Sequence, residues 1–324
     1  MSPNIRSFIR DLAGDLLYAT GITQPSKRIK DHPFSIVTFH RVLPAELLKS
    51  YPINGIAVTP DEFAWFVKIF KKHFICGTLS ENFARWQAGE ITERPLLSIT
   101  FDDGQLDNFL YAQPILKAAK IPATFFAVTN GVEYNETLWY DRLAYAAVKS
   151  GKSHEVAINM VELAKSVNAG ERLNLVQKFE KEAGGLARPD WDGMMNWQQL
   201  AELTQDGHEI GCHSMTHPIL PLCNDTSLQD EIVLSRKILQ ENLNTPITSF
   251  CYPNGDGDKR TISLVEEAGY SQAVTTKWGQ NKHGNSAFML KRFDIQSQTS
   301  RSRKGDLSES RLAWRLSPFF PKRM

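Results

Sequence analysis

Two short clusters concentrate the side chains able to bind a metal and move a proton: Thr100-Phe101-Asp102-Asp103-Gly104 and His213-Ser214-Met215-Thr216-His217. Two imidazoles and one carboxylate make a three-ligand site that leaves a position open for water or substrate, the mark of a catalytic rather than a structural centre. Adjacent aspartates cannot be equivalent, because successive side chains diverge along an extended chain. One can face a metal while its neighbour faces the water beside it. The spacing of His213 and His217 brings both rings to one face of a helical turn. Taken singly, Asp-Asp-Gly is a common turn and the histidines a surface pair before Pro218. Their conjunction points to a metal-dependent hydrolase.

Each cluster directly follows a β-type run, Leu96–Phe101 in one case and His208–Cys212 in the other, where a parallel barrel puts its chemistry. Further strands are expected near 34–39, 123–128, 247–252, 271–276 and 288–295. Three times a helix end, a tight stop and a strand succeed one another, before Ala123, His208 and Tyr270. That alternation means α/β architecture with parallel strands, and about seven of them suit a barrel. Thr59-Pro60-Asp61-Glu62 reads as a capped helix start with Phe63, Phe66, Val67 and Phe70 on its apolar face. Residues 131–195, with helical patterns at Val156–Val167 and Leu173–Ala183, read as an insertion in the position of a lid.

A chain of 324 residues with 42% hydrophobic content can bury a large core, and a formal charge of +1 offers no field to attract nucleic acid. Cys76, Cys212, Cys223 and Cys251 lack Cys-x-x-Cys spacing and read as reduced packing thiols, Cys212 included. Residues 1–30 read as an amphipathic helix and linker, 31–299 as the barrel, and 300–324 as a basic tail. That tail carries seven basic residues against two acidic from 301 onward, with Leu312, Trp314, Leu316, Phe319 and Phe320 interleaved, a pattern suited to an anionic membrane surface. No uninterrupted apolar run reaches the length of a spanning helix. The expected setting is cytoplasmic, with peripheral contact at the inner membrane face.

From about Ile36 to Ile295 the sequence resembles the polysaccharide deacetylase family, the NodB-homology carbohydrate esterases. Thr100–Gly104 resembles that family's first motif, which implies Asp102 as catalytic base and Asp103 as metal ligand; 213–217 resembles its His-[Ser/Thr]-x-x-His motif. The resemblance implies a distorted (β/α)7 barrel, here carrying a helical insertion and a basic C-terminal tail. Later motifs depart from the pattern. Cys251-Tyr252-Pro253-Asn254 stands where many members have Arg-x-Pro-Tyr, so the arginine that orients the base is missing there, and Arg292 is the expected substitute. No Leu-x-x-His follows near the C-terminus, and His40, at the end of the first strand, is expected as the general acid with His283 as its rival. Trp197, Trp139, Tyr252 and Pro253 are the expected substrate contacts, and a backbone N–H at Tyr252 the expected oxyanion donor.

Asp103, His213 and His217 would then hold a divalent metal, zinc by default, with cobalt, nickel, manganese and iron also suited to the ligand set. Such a metal acidifies water from a pKa of 15.7 to about 7. The expected substrate is an N-acetylated amino sugar in a polysaccharide or a lipid-linked precursor. Two rival readings are hydrolysis of a non-sugar amide, such as a cyclic ureide, and a catalytically inactive carbohydrate-binding or scaffold protein.

Overall fold

The computed structural model describes residues 3–27 and 33–318. Seven strands form its centre: β1 Phe34–Phe39, β2 Leu96–Phe101, β3 Thr124–Ala127, β4 Glu209–Cys212, β5 Ser249–Cys251, β6 Gln272–Trp278 and β7 Leu290–Asp294. Every neighbouring pair is parallel, and β1 pairs with both β2 and β7, so the sheet closes into a barrel. Register at the closing seam sets Val37 opposite Ile99 on one side and Phe293 on the other.

The first three strands are buried along their whole length because both faces are covered, and alternation divides their side chains between two cores. Val37, Phe39, Ile99, Phe101 and Phe125 meet the surrounding helices, whereas Phe34, Ile36, Phe126, Cys251, Val274 and Leu290 share the core inside the barrel. Helix α2 (Pro60–His73), after the N-terminal α1 (Pro3–Ala19), carries the expected capping box between Thr59 and Glu62. It sets Phe63 edge-on to Phe39 and Phe101 at 5.1 and 5.4 Å between centroids. Such pairs add about 0.5–1.5 kcal/mol each beyond area burial. Helix α3 (Leu79–Gln87) brings Phe83 and Trp86 to the interior cluster at the strand starts. Thr38, Thr100 and Arg292 form a polar layer toward the strand ends, and that layer is the floor of the candidate site.

Residues 139–182 fold as three helices, α4 (Trp139–Lys149), α5 (His154–Ala164) and α6 (Ala169–Glu182), around their own core of Leu143, Ala144, Ala157, Val161 and Val176. This is a wall rather than a lid, because buried hydrogen bonds to Asp141 and Asp192 bind it to the barrel. The guanidinium of Arg41, just beyond β1, donates to Asp107 and to Asp192 at 2.6 Å each, while Tyr51 donates to Asp141 at 2.8 Å. Burial pushes the Asp141 carboxyl up to about 8 in spite of the nearby Arg41, and Asp192 adds to the rise.

The expected basic tail is folded through residue 318. Helix α7 (Glu309–Arg315) packs on α1, buries Leu312 and Ala313, and is followed by buried Leu316. The charges of this segment are answered internally: Arg311 pairs with Asp11, Arg301 with Glu62, and Arg315 lies 4.1 Å over Trp278. Partners so distant in sequence escape a local charge count. The membrane reading therefore loses three of its cations, and Phe319, Phe320, Lys322 and Arg323 lie outside the described residues. Among the described residues no helix is long and apolar enough to cross a membrane.

Candidate active site

Asp102 follows the end of β2 and continues the inward face of Thr100, which points it toward Arg292 on β7. The guanidinium forks onto it, Nη1 donating to Oδ1 and Nη2 to Oδ2, both at 2.7 Å. The other donors of Arg292 are held by the carbonyl of Thr275 and the hydroxyls of Thr38 and Thr100, so the fork is locked in place. Burial raises the Asp102 carboxyl, but the charge and hydrogen bonds of Arg292 outweigh it and leave the group below its ordinary value. It is thus a buried carboxylate, ionised at neutral pH.

Asp103 turns the other way through a left-handed backbone, φ 78°. Its Oδ1 lies 3.4 Å from Nε2 of both His213 and His217, and all three residues are buried. Nδ1 of His213 donates to the carbonyl of Cys251 at 2.8 Å; a carbonyl only accepts, so that proton is fixed and Nε2 is the nitrogen turned to Asp103. Burial drives His217 down to about 4, against the pull of Asp103, which keeps its ring neutral. Burial acts likewise on His213, but Cys251 and Asp103 reverse it and raise its affinity for a proton. Two nitrogens and one carboxylate oxygen around one point, demanding positive charge, fit a divalent cation of the zinc type.

The histidines do not share a helical turn. Residues 213–219 form an irregular loop in which Ser214 and His217 have φ of 66° and 58°. Glu231 explains it. Its buried carboxylate accepts from the N–H groups of Met215 and Thr216 at 2.9 Å each and from the Thr216 hydroxyl at 2.6 Å, while Ser214 Oγ accepts from the N–H of His217. These bonds take the donors a helix would use. Left-handed backbone at non-glycine residues costs on the order of 1–3 kcal/mol each and persists only where such contacts impose it.

The remaining candidates divide. His40 leaves β1 beside the aspartates, its Nε2 3.9 Å from Asp102 Oδ2 and its side chain 22% exposed. His283 is at the opposite pole, stacked on Trp86 at 4.9 Å near Pro33 and Leu96, which removes it as a proton donor. Trp139 donates to the carbonyl of His217 at 3.0 Å and lines, with Thr216, Pro218 and Arg172, a cavity of about 220 Å³ beside the His217 loop. Trp197 opens the helix before β4, and its Nε1 donates to Glu133 at 2.7 Å rather than turning to the aspartates. Tyr252 and Pro253 are buried, and the N–H of Tyr252 is spent on Val274 at 3.2 Å in continuation of the sheet ladder. That overturns the expected oxyanion donor. Cys212 is packing, its Sγ 3.2 Å from Ser235 Oγ.

Two contributors carried little signal in the sequence. Glu231 acts from another helix, and nothing in its surroundings marks it. Tyr140 donates to Asp103 Oδ2 at 2.7 Å, next to Trp139, which alone of the pair is singled out by the sequence.

The sequence profile described as polysaccharide deacetylase matches residues 89–273, more than half of the chain. A Bacillus subtilis (strain 168) protein named provisionally as polysaccharide deacetylase YxkH is 24% identical over 212 residues, 65% of this chain and 56% of its own. This chain thus matches little more than half the length of that relative. The poly-β-1,6-N-acetyl-D-glucosamine N-deacetylase of Staphylococcus aureus (strain MRSA252) is 26% identical over 238 residues, 62% of this chain and 79% of its own. Two solved structures share the fold. Streptococcus pyogenes deacetylase PplD in complex with acetate has a TM-score of 0.64 at 19% identity, covering 88% of this chain and 99% of that one. IcaB from Ammonifex degensii has 0.59 at 19%, covering 88% and 97%. With both aspartates and both histidines of the motifs gathered at the mouth of such a barrel, the chain belongs to the polysaccharide deacetylase family.

Proposed function

We propose that this chain is a metal-dependent hydrolase that removes N-acetyl groups from an amino sugar in a polysaccharide or a lipid-linked saccharide precursor. One observation carries the reading: a second buried carboxylate, Asp102, stands next to the Asp103, His213 and His217 group, outside it, and is locked by Arg292. A binding protein has no need of that arrangement, whereas amide hydrolysis needs a base for water and a separate site of positive charge. The donor set suits zinc first. The substrate of the S. aureus relative, as its name gives it, supports an N-acetylated hexosamine polymer.

In this reading a divalent cation held by Asp103, His213 and His217 supplies Lewis acidity toward water and the acyl oxygen. Asp102 takes the proton of the attacking water, its basicity limited and its orientation set by Arg292. His40, its Nε2 3.9 Å from Asp102 Oδ2, gives a proton to the departing amine. Trp139 and the adjoining cavity receive part of the saccharide. Four unpaired cysteines support a reducing compartment. Acetate release from a panel of N-acetylated glycans, before and after chelation and after zinc is restored, tests the proposal. Release that is lost on chelation and regained is the expected result; no release from any glycan by the metal-loaded protein would refute it.

A further inference from the structure

The two metal-facing histidines are oriented by different means. His213 is fixed through its ring, Nδ1 donating to the Cys251 carbonyl. The corresponding Nδ1 of His217 is buried and has no hydrogen-bond partner. His217 is held instead through its backbone and its ring face: Trp139 Nε1 donates to its carbonyl at 3.0 Å, and the Tyr140 ring lies against it, 5.5 Å between centroids at 65°. The Tyr140 hydroxyl also donates to Asp103 Oδ2 at 2.7 Å, which leaves Oδ1 facing both imidazoles. Two consecutive residues at the start of α4 therefore touch two of the three candidate ligands.

Their own support is firm. Tyr140 is 8% exposed, and Gln105 Nε2 reaches the Asp141 carboxylate at 3.0 Å and the Tyr140 oxygen at 3.5 Å. Through Asp141 and Asp192 the same insertion is tied to Arg41 on the barrel. An outer hydrogen bond that restricts a ligand's rotation raises metal affinity because less freedom is lost on binding, and such partners are worth about 10- to 100-fold.

We propose that Trp139 and Tyr140 act as a positioning clamp, through which the helical insertion sets the affinity of the Asp103, His213 and His217 group for its cation. The inference rests on the metal-site reading above. Tyr140→Phe keeps the ring on His217 and deletes only the hydroxyl; Trp139→Phe keeps an aromatic ring and deletes the bond to the carbonyl. Zinc and cobalt affinities of full-length variants, measured by competition with a chromophoric chelator, are the readout, together with the visible spectrum of the cobalt form. Tyr140→Phe should bind about 10- to 100-fold more weakly with an altered cobalt spectrum, and Trp139→Phe should weaken binding in the same direction. His40→Ala, which touches no ligand of the group, should bind as the parent does. Circular dichroism of the metal-free proteins separates a lost clamp from a lost fold. Parent-like affinity and spectrum in both folded aromatic variants would overturn the clamp while leaving the metal site standing. Equal binding by the parent and Asp103→Ala would overturn the metal site, and the clamp with it.

Discussion

The two ends of the barrel differ in how much charge they bury. At the strand starts, Trp86 stacks on His283, α3 opens with a capping box between Thr78 and Glu81, and α2 is joined to the C-terminal α7 by part-exposed ion pairs such as Lys72 to Glu309. At the strand ends, Arg41, Asp102, Asp103, Asp107, Asp141, Asp192 and Arg292 are all buried, and Asp103, Ser214, His217 and Asn254 have left-handed backbones. Each feature of the second group opposes folding by itself: buried charge costs several kcal/mol unless paired, and each left-handed residue costs on the order of 1–3 kcal/mol. The base and the aromatic belt around it supply stability; the mouth draws on it to hold the carboxylates, imidazoles and guanidinium groups of the candidate site together. Substitutions at the two ends should accordingly fail in different ways.

The largest effect is expected from the ligands. Asp103→Ala, His213→Ala and His217→Ala should each abolish stable metal occupancy, read by elemental analysis, and reduce turnover to background, because two remaining donors do not hold a catalytic cation. Retained stoichiometric metal in any of them would remove that residue from the group. Next is Arg292→Met. It removes the largest influence opposing the burial of Asp102, so the carboxyl titrates at higher pH; with the ionised form as the proposed base, the acid limb of the pH–rate profile should move upward. Breaking this buried pair should also cost about 3–5 kcal/mol of stability, so Arg292→Lys, which keeps charge and loses the fork, is the companion variant. An unmoved acid limb in both would make Arg292 a purely structural residue.

His40→Ala sharpens the role of the mouth further. It should keep its metal, lose most turnover of an N-acetyl sugar, and lose much less on an activated ester whose leaving group needs no proton. Equal losses on both substrates would point to damaged binding instead of a missing acid.

The smallest effect belongs to the base. Glu309 is held down to about 2, burial opposing and Lys72, Tyr18 and His73 outweighing it. A depressed carboxylate contributes stability above its unfolded value and loses it as pH falls through the folded one. Glu309→Gln should therefore lower Tm by a few degrees at neutral pH, with the difference from the parent shrinking between pH 4.5 and about 2, while metal content and kcat stay unchanged. A loss of turnover with the fold intact would break the division between the two ends.

Much of this was legible in the chain. Strand runs such as Phe34–Phe39 and Leu96–Phe101 are mostly apolar, broken only by Ser and Thr, and the Thr59/Glu62 capping box is a local signal, so elements and their order could be read directly. The aspartate pair and the histidine pair were visible by type and spacing. What escaped depends on residues far apart. Glu231 unwinds the histidine loop from a neighbouring helix, so the four-residue spacing misled about its conformation. The N–H of Tyr252 is consumed by β6, a pairing no motif reveals. Arg311 finds Asp11 across nearly the whole chain, which turned an apparent basic tail into a folded helix. Composition counts charges but cannot pair them.

The claim on which the rest depends is that Asp102 is a base outside the ligand group. Metal content and acetate release of Asp102→Asn, measured side by side with the parent, test it most directly. The variant is isosteric and keeps an acceptor for Arg292, so the account expects full metal occupancy with a rate lower by about 10² to 10⁴. Loss of metal equal to that of Asp103→Ala, or full occupancy with an undiminished rate, would contradict it.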